Sequence, residues 1–376
     1  MNEPLFKFGQ IVEGEYFCNR ATELADLARM LQGGASVWVY SPRRYGKSSL
    51  VRTCFGGMDP STFLTVEIDL YATRSTTDLT RILLAGFART LQAHLGTVDK
   101  ALDFARDLLA ALRPAITLDP SGQPQLTLER REPSQVELEE ILDLPARLAE
   151  RADRRVVVAL DEFQEIDRID GLDARLRSVF QQQSRVSYVL CGSKRHLMER
   201  MFADRGAPLY GFARHLEIGP IEKSEWLAYL TQRLASASLT VDPDLLEMVI
   251  DLAGGHPHYV QLFAQHLKEL IDREVDPSRF EEELIAVILA SQESATRLFL
   301  DGLTSAQLNV LRVIASGTRS GLLSETVRTR FALPATSTVQ SALKSLYAHG
   351  VLDQLEGEYR LLDPVLELYL KERLAV

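Results

Sequence analysis

Between Ser41 and Ser49 the chain reads SPRRYGKSS, which sets a glycine, a lysine and two hydroxyls side by side. The run matches G-x-x-x-x-G-K-[ST] at every position except the first, where Ser41 replaces glycine. These residue types suit the gripping of phosphate. Backbone N–H groups of such a loop, with a helix N-terminus behind them, wrap the β- and γ-phosphates of a nucleotide. Gly46 permits close backbone approach, Lys47 neutralises phosphate oxygens, and the Ser48 hydroxyl ligates Mg2+. Ser41 stands where the loop begins, away from the Gly-Lys-Ser that holds phosphate. Arg43 and Arg44 face either phosphate or solvent. The candidate nucleotide-binding set is thus Arg43, Arg44, Tyr45, Gly46, Lys47, Ser48 and Ser49.

A nucleotide loop requires a metal-organising acid at the end of a neighbouring buried strand. Val156 to Leu160 is continuously apolar, as a strand buried on both faces should be, and it ends in Asp161-Glu162. Asp161 is expected to hold Mg2+ through water, beside Ser48, and Glu162 to act as general base on the attacking water. An apolar run ending in two acids is, alone, a common strand terminus. With the loop upstream, ATP or GTP binding is the better reading.

Other positions carry less. Cys191-Gly192-Ser193 ends the next strand, where Ser193 either senses the γ-phosphate or caps the following helix. Arg205 and Arg214 flank APLYGF; each is either a solvated arginine or an arginine finger, in cis or toward a neighbouring subunit, with Arg214 the candidate. His256, in GGHPHY, reads as a cap or packing residue rather than a catalyst, and Pro257 beside it is placed to pack on a base.

The elements that must position these residues form two patterns. Through the first two-thirds of the chain, apolar β-branched runs alternate with helical periodicity, the pattern of a parallel sheet covered by helices. Strands are expected at 36–40, 63–70, 156–162, 187–193 and 215–221. Helices are expected from Lys47, over 77–112, over 135–151 and over 171–183. PAITLDPSGQPQLTL (114–128) reads as a hairpin inserted beside the sheet. From about residue 222 strand signals stop, and helices are expected at 223–236, 243–253, 257–274 and 279–299. Three short helices and a two-stranded hairpin then form a winged helix-turn-helix pattern. The domains expected are a P-loop core over 1–222 with an insertion at about 98–135, a helical lid over 223–299 and a winged helix over 300–376.

Composition narrows the partners. With 376 residues, 46% hydrophobic and 25% charged, the chain suits a folded protein of two or three domains. No apolar run approaches membrane-helix length, and MNEPLFKFGQ lacks the basic and apolar regions of a signal peptide, so a cytoplasmic protein is expected. Three scattered cysteines argue against a disulfide framework or a standard zinc site. The net charge of −10 divides as −3 over residues 1–230, −7 over 231–300 and zero over 301–376. No segment is basic, so bulk charge lends no support to nucleic-acid binding.

The order YFCNRATEL (16–24), SPRRYGKSSL (41–50), VVVALDEFQEI (156–166), CGS (191–193), APLYGF (207–212) and GGHPHYVQ (254–261) resembles the archaeal-type ATPases of the STAND class, relatives of AAA+ proteins. The resemblance spans essentially the whole chain. It implies an α/β P-loop NTPase fold with a helical lid and a C-terminal winged helix. It implies ATP or ADP rather than GTP, with Phe17 and Arg20 against the adenine and Pro257 brought from the lid. It also implies a slow Mg-ATPase working as a switch, in which ADP holds the lid closed and ATP favours an open, often oligomeric state. In related proteins Tyr-Gly is commonly followed directly by Arg, whereas here Phe212-Ala213 intervene before Arg214.

Two rival readings remain open. An ATP-dependent DNA-binding initiator would share the architecture, but Gly-Gly-His-Pro replaces the arginine that initiators typically present. Its presumed recognition helix, STVQSALKSLYAHG, carries only Lys344 and a histidine. A nucleotide-loaded scaffold without turnover is the other, and the intact Asp161-Glu162 pair argues against it. A protein partner or self-association through the core and winged helix is expected, and DNA is not favoured.

Overall fold

The computed structural model describes residues 4–95, 114–118, 124–128, 135–355 and 357–374. Two compact units make up the chain. One comprises Arg20–Arg43 and Lys47–Ile218; the other comprises the N-terminal segment to Asn19, the short loop Arg44–Gly46 and everything from Gly219 onward.

The first unit is built on five parallel strands: β1 (Val37–Tyr40), β2 (Phe63–Asp69), β5 (Arg155–Asp161), β6 (Val186–Gly192) and β7 (Arg214–Glu217). Their order is β2-β5-β6-β1-β7, every neighbouring pair parallel. The central strands are buried along almost their whole length, which is why β1 and, from Val156 to Leu160, β5 are apolar without a break and β6 is interrupted only by the buried Ser187. Helix α1 (Ala21–Gln32) leads into β1, and helices α2 (Lys47–Gly56), α3 (Thr76–Leu95), α4 (Gln135–Leu142), α5 (Leu144–Ala152), α6 (Leu172–Phe180) and α7 (Arg195–Phe202) lie between the strands. Trp38, Val158, Leu160, Phe163, Tyr188 and Met198 lie in their shared core. The α/β class expected for this part is the one observed.

Several boundaries differ from expectation. The helix expected over 135–151 is two helices, parted at Asp143, because Pro145 in the first turn of α5 has no N–H to continue a ladder from α4. The last strand stops at Glu217, short of the expected 221; Pro220 cannot donate to a ladder. Helix α1 was not among the expected elements. The hairpin forms as β3 (Pro114–Leu118) and β4 (Pro124–Leu128), antiparallel and in a sheet of their own. Residues 96–112 of the helix expected over 77–112 lie outside the described residues.

The second unit is helical apart from one hairpin. Helices α8 (Lys223–Ser236), α9 (Pro243–Leu252), α10 (Pro257–Asp272) and α11 (Phe280–Asp301) pack around Trp226, Leu230, Val249, Phe263 and Leu284, with Phe6 and Cys18 of the N-terminal segment in the same cluster. The Trp226 indole N–H donates to the Gly255 carbonyl at 3.1 Å, which satisfies its only polar atom. Helices α12 (Ser305–Ala315), α13 (Glu325–Arg330) and α14 (Thr336–Ala348) and the hairpin β8 (Leu352–Leu355) and β9 (Glu358–Leu361) form the expected winged helix around a separate cluster. Thr304 and Gln307 close a capping box at the start of α12. An unexpected helix, α15 (Pro364–Arg373), ends the described chain; Asp363 caps it by accepting from the Val365 and Leu366 N–H groups at 2.9 and 3.2 Å. Val365, Leu368 and Tyr369 of α15 join the α8–α11 cluster, while Leu366 and Leu370 join the winged-helix cluster. Among the described residues, no helix is long and apolar enough to cross a membrane.

Candidate functional site

In an open parallel sheet, loops leaving the carboxyl ends of the strands share one edge, where ligands bind. Here Tyr40, the last residue of β1, pairs with Gly192 at the end of β6, and Leu160 of β5 pairs with Leu190. Lys47 and Ser48 after β1, Asp161 at the end of β5 with Glu162 after it, and Ser193 after β6 therefore converge although they lie up to 146 positions apart.

Lys47 is buried, and its ammonium donates to the Ser41 and Pro42 carbonyls at 2.8 and 3.1 Å. Burial pushes its pKa below the usual lysine value; Asp161 and Glu162 oppose that shift, and the exposed Arg43 adds to it. A lysine held beside another cation in a partly dry site is arranged for an anion. The Ser48 hydroxyl donates to Asp161 Oδ2 at 2.5 Å. One hydroxyl and one carboxylate side by side suit a hard divalent cation that takes most of its ligands from phosphate and water, as Mg2+ does. Among the described residues no cluster of three or more His, Cys, Asp or Glu side chains could hold a metal alone.

Glu162 sits in the left-handed region at φ +52°, and its N–H donates to Asp161 Oδ1 at 2.9 Å. Its Oε2 accepts from Gln164 Nε2 at 2.5 Å and from Ser193 Oγ at 3.1 Å. The Ser193 hydroxyl is thus turned to the acid, and Lys194, not Ser193, occupies the N-cap of α7. Asp69, at the end of β2, pairs in register with Asp161. Partial burial, and then the charges of Asp161 and Glu162, raise its pKa, while a hydrogen bond from the Tyr71 N–H acts the other way.

Gln164 and Asp69 were not among the residues expected from sequence. Gln164 stood in the DEFQ quoted for the family resemblance, without a role. Asp69 ends the strand FLTVEID as Asp161 ends its own, and that parallel was the available signal.

The remaining expected residues are distributed between the units. Ser49 is buried in α2. Arg20 is 1% exposed, with φ +53°, and its guanidinium meets Glu23 at 2.7 Å. Arg214 is exposed at the start of β7, in register with Val37. That rung is three residues, about 10 Å, from the phosphate-loop end of β1. The structure therefore does not bring Arg214 to its own chain's cluster, and a finger role in cis is not supported.

In the helical unit, Phe17 lines a cavity of about 430 Å3 with Asn19, Glu225, Tyr229 and Arg233. Pro257 is buried at the first position of α10, where its missing N–H costs no helical bond. His256 caps that helix by accepting from the His258 N–H at 3.3 Å, as its sequence context suggested. The Tyr45 ring lies 4.3 Å from the His256 ring, and Arg44 Nη1 lies 3.4 Å from His258 Nε2. Gly46 has φ +86°, a conformation that residues with a Cβ rarely adopt. Burial, and then the neighbouring Arg44, lower the His258 pKa to about 4.

Comparison with known proteins agrees with the fold. The solved structure of a Walker-type ATPase from Pyrococcus abyssi superposes with a TM-score of 0.67 at 20% identity, covering 98% of this chain and 99% of that one. The Aeropyrum pernix ORC2 protein, solved as ADPNP–ADP complexes, superposes with a TM-score of 0.57 at 16% identity, covering 99% and 98%. At such identities the likeness is one of fold. No curated protein matches the chain. Residues 296–372 match a probable winged helix domain. Residues 17–263, more than half of the chain, match the ATPase domain predominantly from Archaea, and the chain belongs to that family.

Proposed function

We propose that this protein is a magnesium-dependent ATP hydrolase that couples slow turnover to a nucleotide-controlled conformational switch of the STAND type. The observation that carries the reading is the cluster at the carboxyl edge of the sheet. There a buried lysine, a hydroxyl–carboxylate pair and a second carboxylate with one oxygen already bonded stand together.

Each residue takes one part of the work. Lys47 balances the phosphate charge, with Arg43 adding to the field. Ser48 and Asp161 would hold Mg2+, which when bound neutralises charge on the phosphates. Glu162 accepts a proton from water as the water oxygen bonds to the γ-phosphorus and the bond from that phosphorus to ADP breaks, giving ADP and phosphate. Ser193 donates to Glu162 and orients it. Arg44, Tyr45, Gly46 and Ser49 complete the loop, and Phe17, Arg20 and Pro257 serve the adenine. Arg214, exposed on an edge strand, would serve a neighbouring copy. The organisation we propose is a core to residue 222, a lid over 223–299 and a winged helix over 300–376, the lid responding to the γ-phosphate.

Phosphate release from Mg-ATP tests the reaction, measured with wild type and Glu162→Gln and with and without duplex DNA at low salt. The expected result is slow release, indifferent to DNA, that falls about 100-fold or more in the variant while ATP still binds. Equal rates in both proteins would overturn the base assignment, and stimulation by DNA would replace the switch with a DNA-dependent role. Solution scattering tests the switch, which fails if the ATP and ADP forms share one shape and oligomeric state.

A further inference from the structure

Gln164 is 1% exposed, in the tight turn Phe163–Arg168 that follows β5. A buried primary amide must find partners for both of its ends. Its Oε1 accepts from the Ser193 N–H at 3.2 Å, and its Nε2 donates to Glu162 Oε2 at 2.5 Å. The backbone donor settles which way the amide points, since a flipped amide would face N–H with N–H and carbonyl with carboxylate. Gly192 makes room for this arrangement. A Cβ there would lie 2.8 Å from Gln164 Oε1 and 2.3 Å from Met198 Sδ. The left-handed backbone of Glu162 persists where its surroundings over-determine it.

The outcome is an asymmetric carboxylate. Oε2 of Glu162 carries two donors, Gln164 and Ser193, while Oε1 has no hydrogen-bond partner among the described residues. We infer that Gln164 is a positioning residue: it ties Glu162 to the end of β6 and presents Oε1 as the atom that takes the proton from the attacking water. This inference rests on the proposed hydrolase reading.

Two substitutions at this position have distinct consequences. Gln164→Met removes a donor and keeps the approximate volume. Gln164→Glu keeps the shape but sets a second acid against the first. The first lets the carboxylate of Glu162 turn, and the second pushes it away from the end of β6.

The experiment is steady-state hydrolysis of Mg-ATP, with ATP affinity and thermal melting measured on each variant. We expect kcat to fall about 10- to 100-fold with KM and ATP affinity unchanged. The fall in kcat should be larger for Gln164→Glu than for Gln164→Met. Ser193→Ala, which leaves Gln164 in place, should lower kcat by less. A wild-type kcat in the Gln164 variants would overturn the inference. So would a loss of ATP affinity that parallels kcat. Wild type and Glu162→Gln together separate the levels. If the wild type releases no phosphate, the hydrolase reading itself is wrong; if Glu162→Gln hydrolyses at the wild-type rate, the base assignment is wrong; if it is inactive while the Gln164 variants are normal, only the positioning role fails.

Discussion

The carboxyl edge of the sheet and the helix α14 in the winged helix treat polar residues in opposite ways. On α14 the buried residues are Val339, Ala342, Leu343 and Leu346, while Thr336, Ser337, Thr338, Gln340, Ser341 and Lys344 are exposed. At the sheet edge Lys47, Ser49 and Gln164 are buried, and Ser48, Asp161, Glu162 and Ser193 are half-buried against one another. Burying a polar group costs free energy unless it finds a partner. The first region avoids the cost by simple amphipathic segregation. The second accepts it and offsets it with mutual hydrogen bonds, and these groups are then preorganised for charge and proton chemistry. Disruption should therefore act on function in one region and on stability in the other.

The largest effect expected from this contrast is at Lys47. Lys47→Ala should weaken ATP binding about 100-fold or more, because no other buried cation at that edge replaces it. Isothermal titration measures it, and an undiminished affinity would dissolve the distinction between the two regions. Next is Leu343, 3% exposed in the winged-helix core. Leu343→Ala should cost about 2–5 kcal/mol in denaturant unfolding through the lost methyl groups and the cavity left behind. ATP affinity should not change; a parallel loss of binding would mean that the winged-helix core supports the nucleotide site.

The smallest effect is pH-dependent and lies in the helical unit. His258 stays neutral in the folded chain down to about pH 4, against an ordinary value of 6.5, because burial and then Arg44 disfavour its charge. Between those values the unfolded chain binds the proton more readily. The stability gained by keeping His258 neutral is therefore complete above about pH 6.5 and is lost as pH falls through about 4. His258→Gln should flatten that part of the curve of urea midpoint against pH, and an unchanged slope would show that His258 does not set it.

Much of the core was legible beforehand because its signals are local. A strand buried on both faces must be apolar along its length, so Val156–Leu160 announced itself. Gly-Lys-Ser between such a strand and a helix has few other uses. The winged helix was legible for a similar reason, its short helices being closed by caps such as Thr304 with Gln307. The part of Pro145 in parting α4 from α5 was harder to see, since proline is also welcome in the first turn of a helix. Helix α15 had a local signal in Asp363-Pro364, yet its two apolar faces make sense only with two clusters to fill.

What the amino-acid sequence determined by itself was the set of chemical groups and the strands and helices that carry them. Periodicity, glycine and proline placement and side-chain type act over a few residues and can be read there. Tertiary structure decided which groups meet. Strand order placed Gln164 between Glu162 and Ser193, set Asp69 beside Asp161, and left Arg214 at the far end of its strand. Those relations follow from sheet register and close packing across 29 to 177 positions of sequence, distances over which no local pattern carries information.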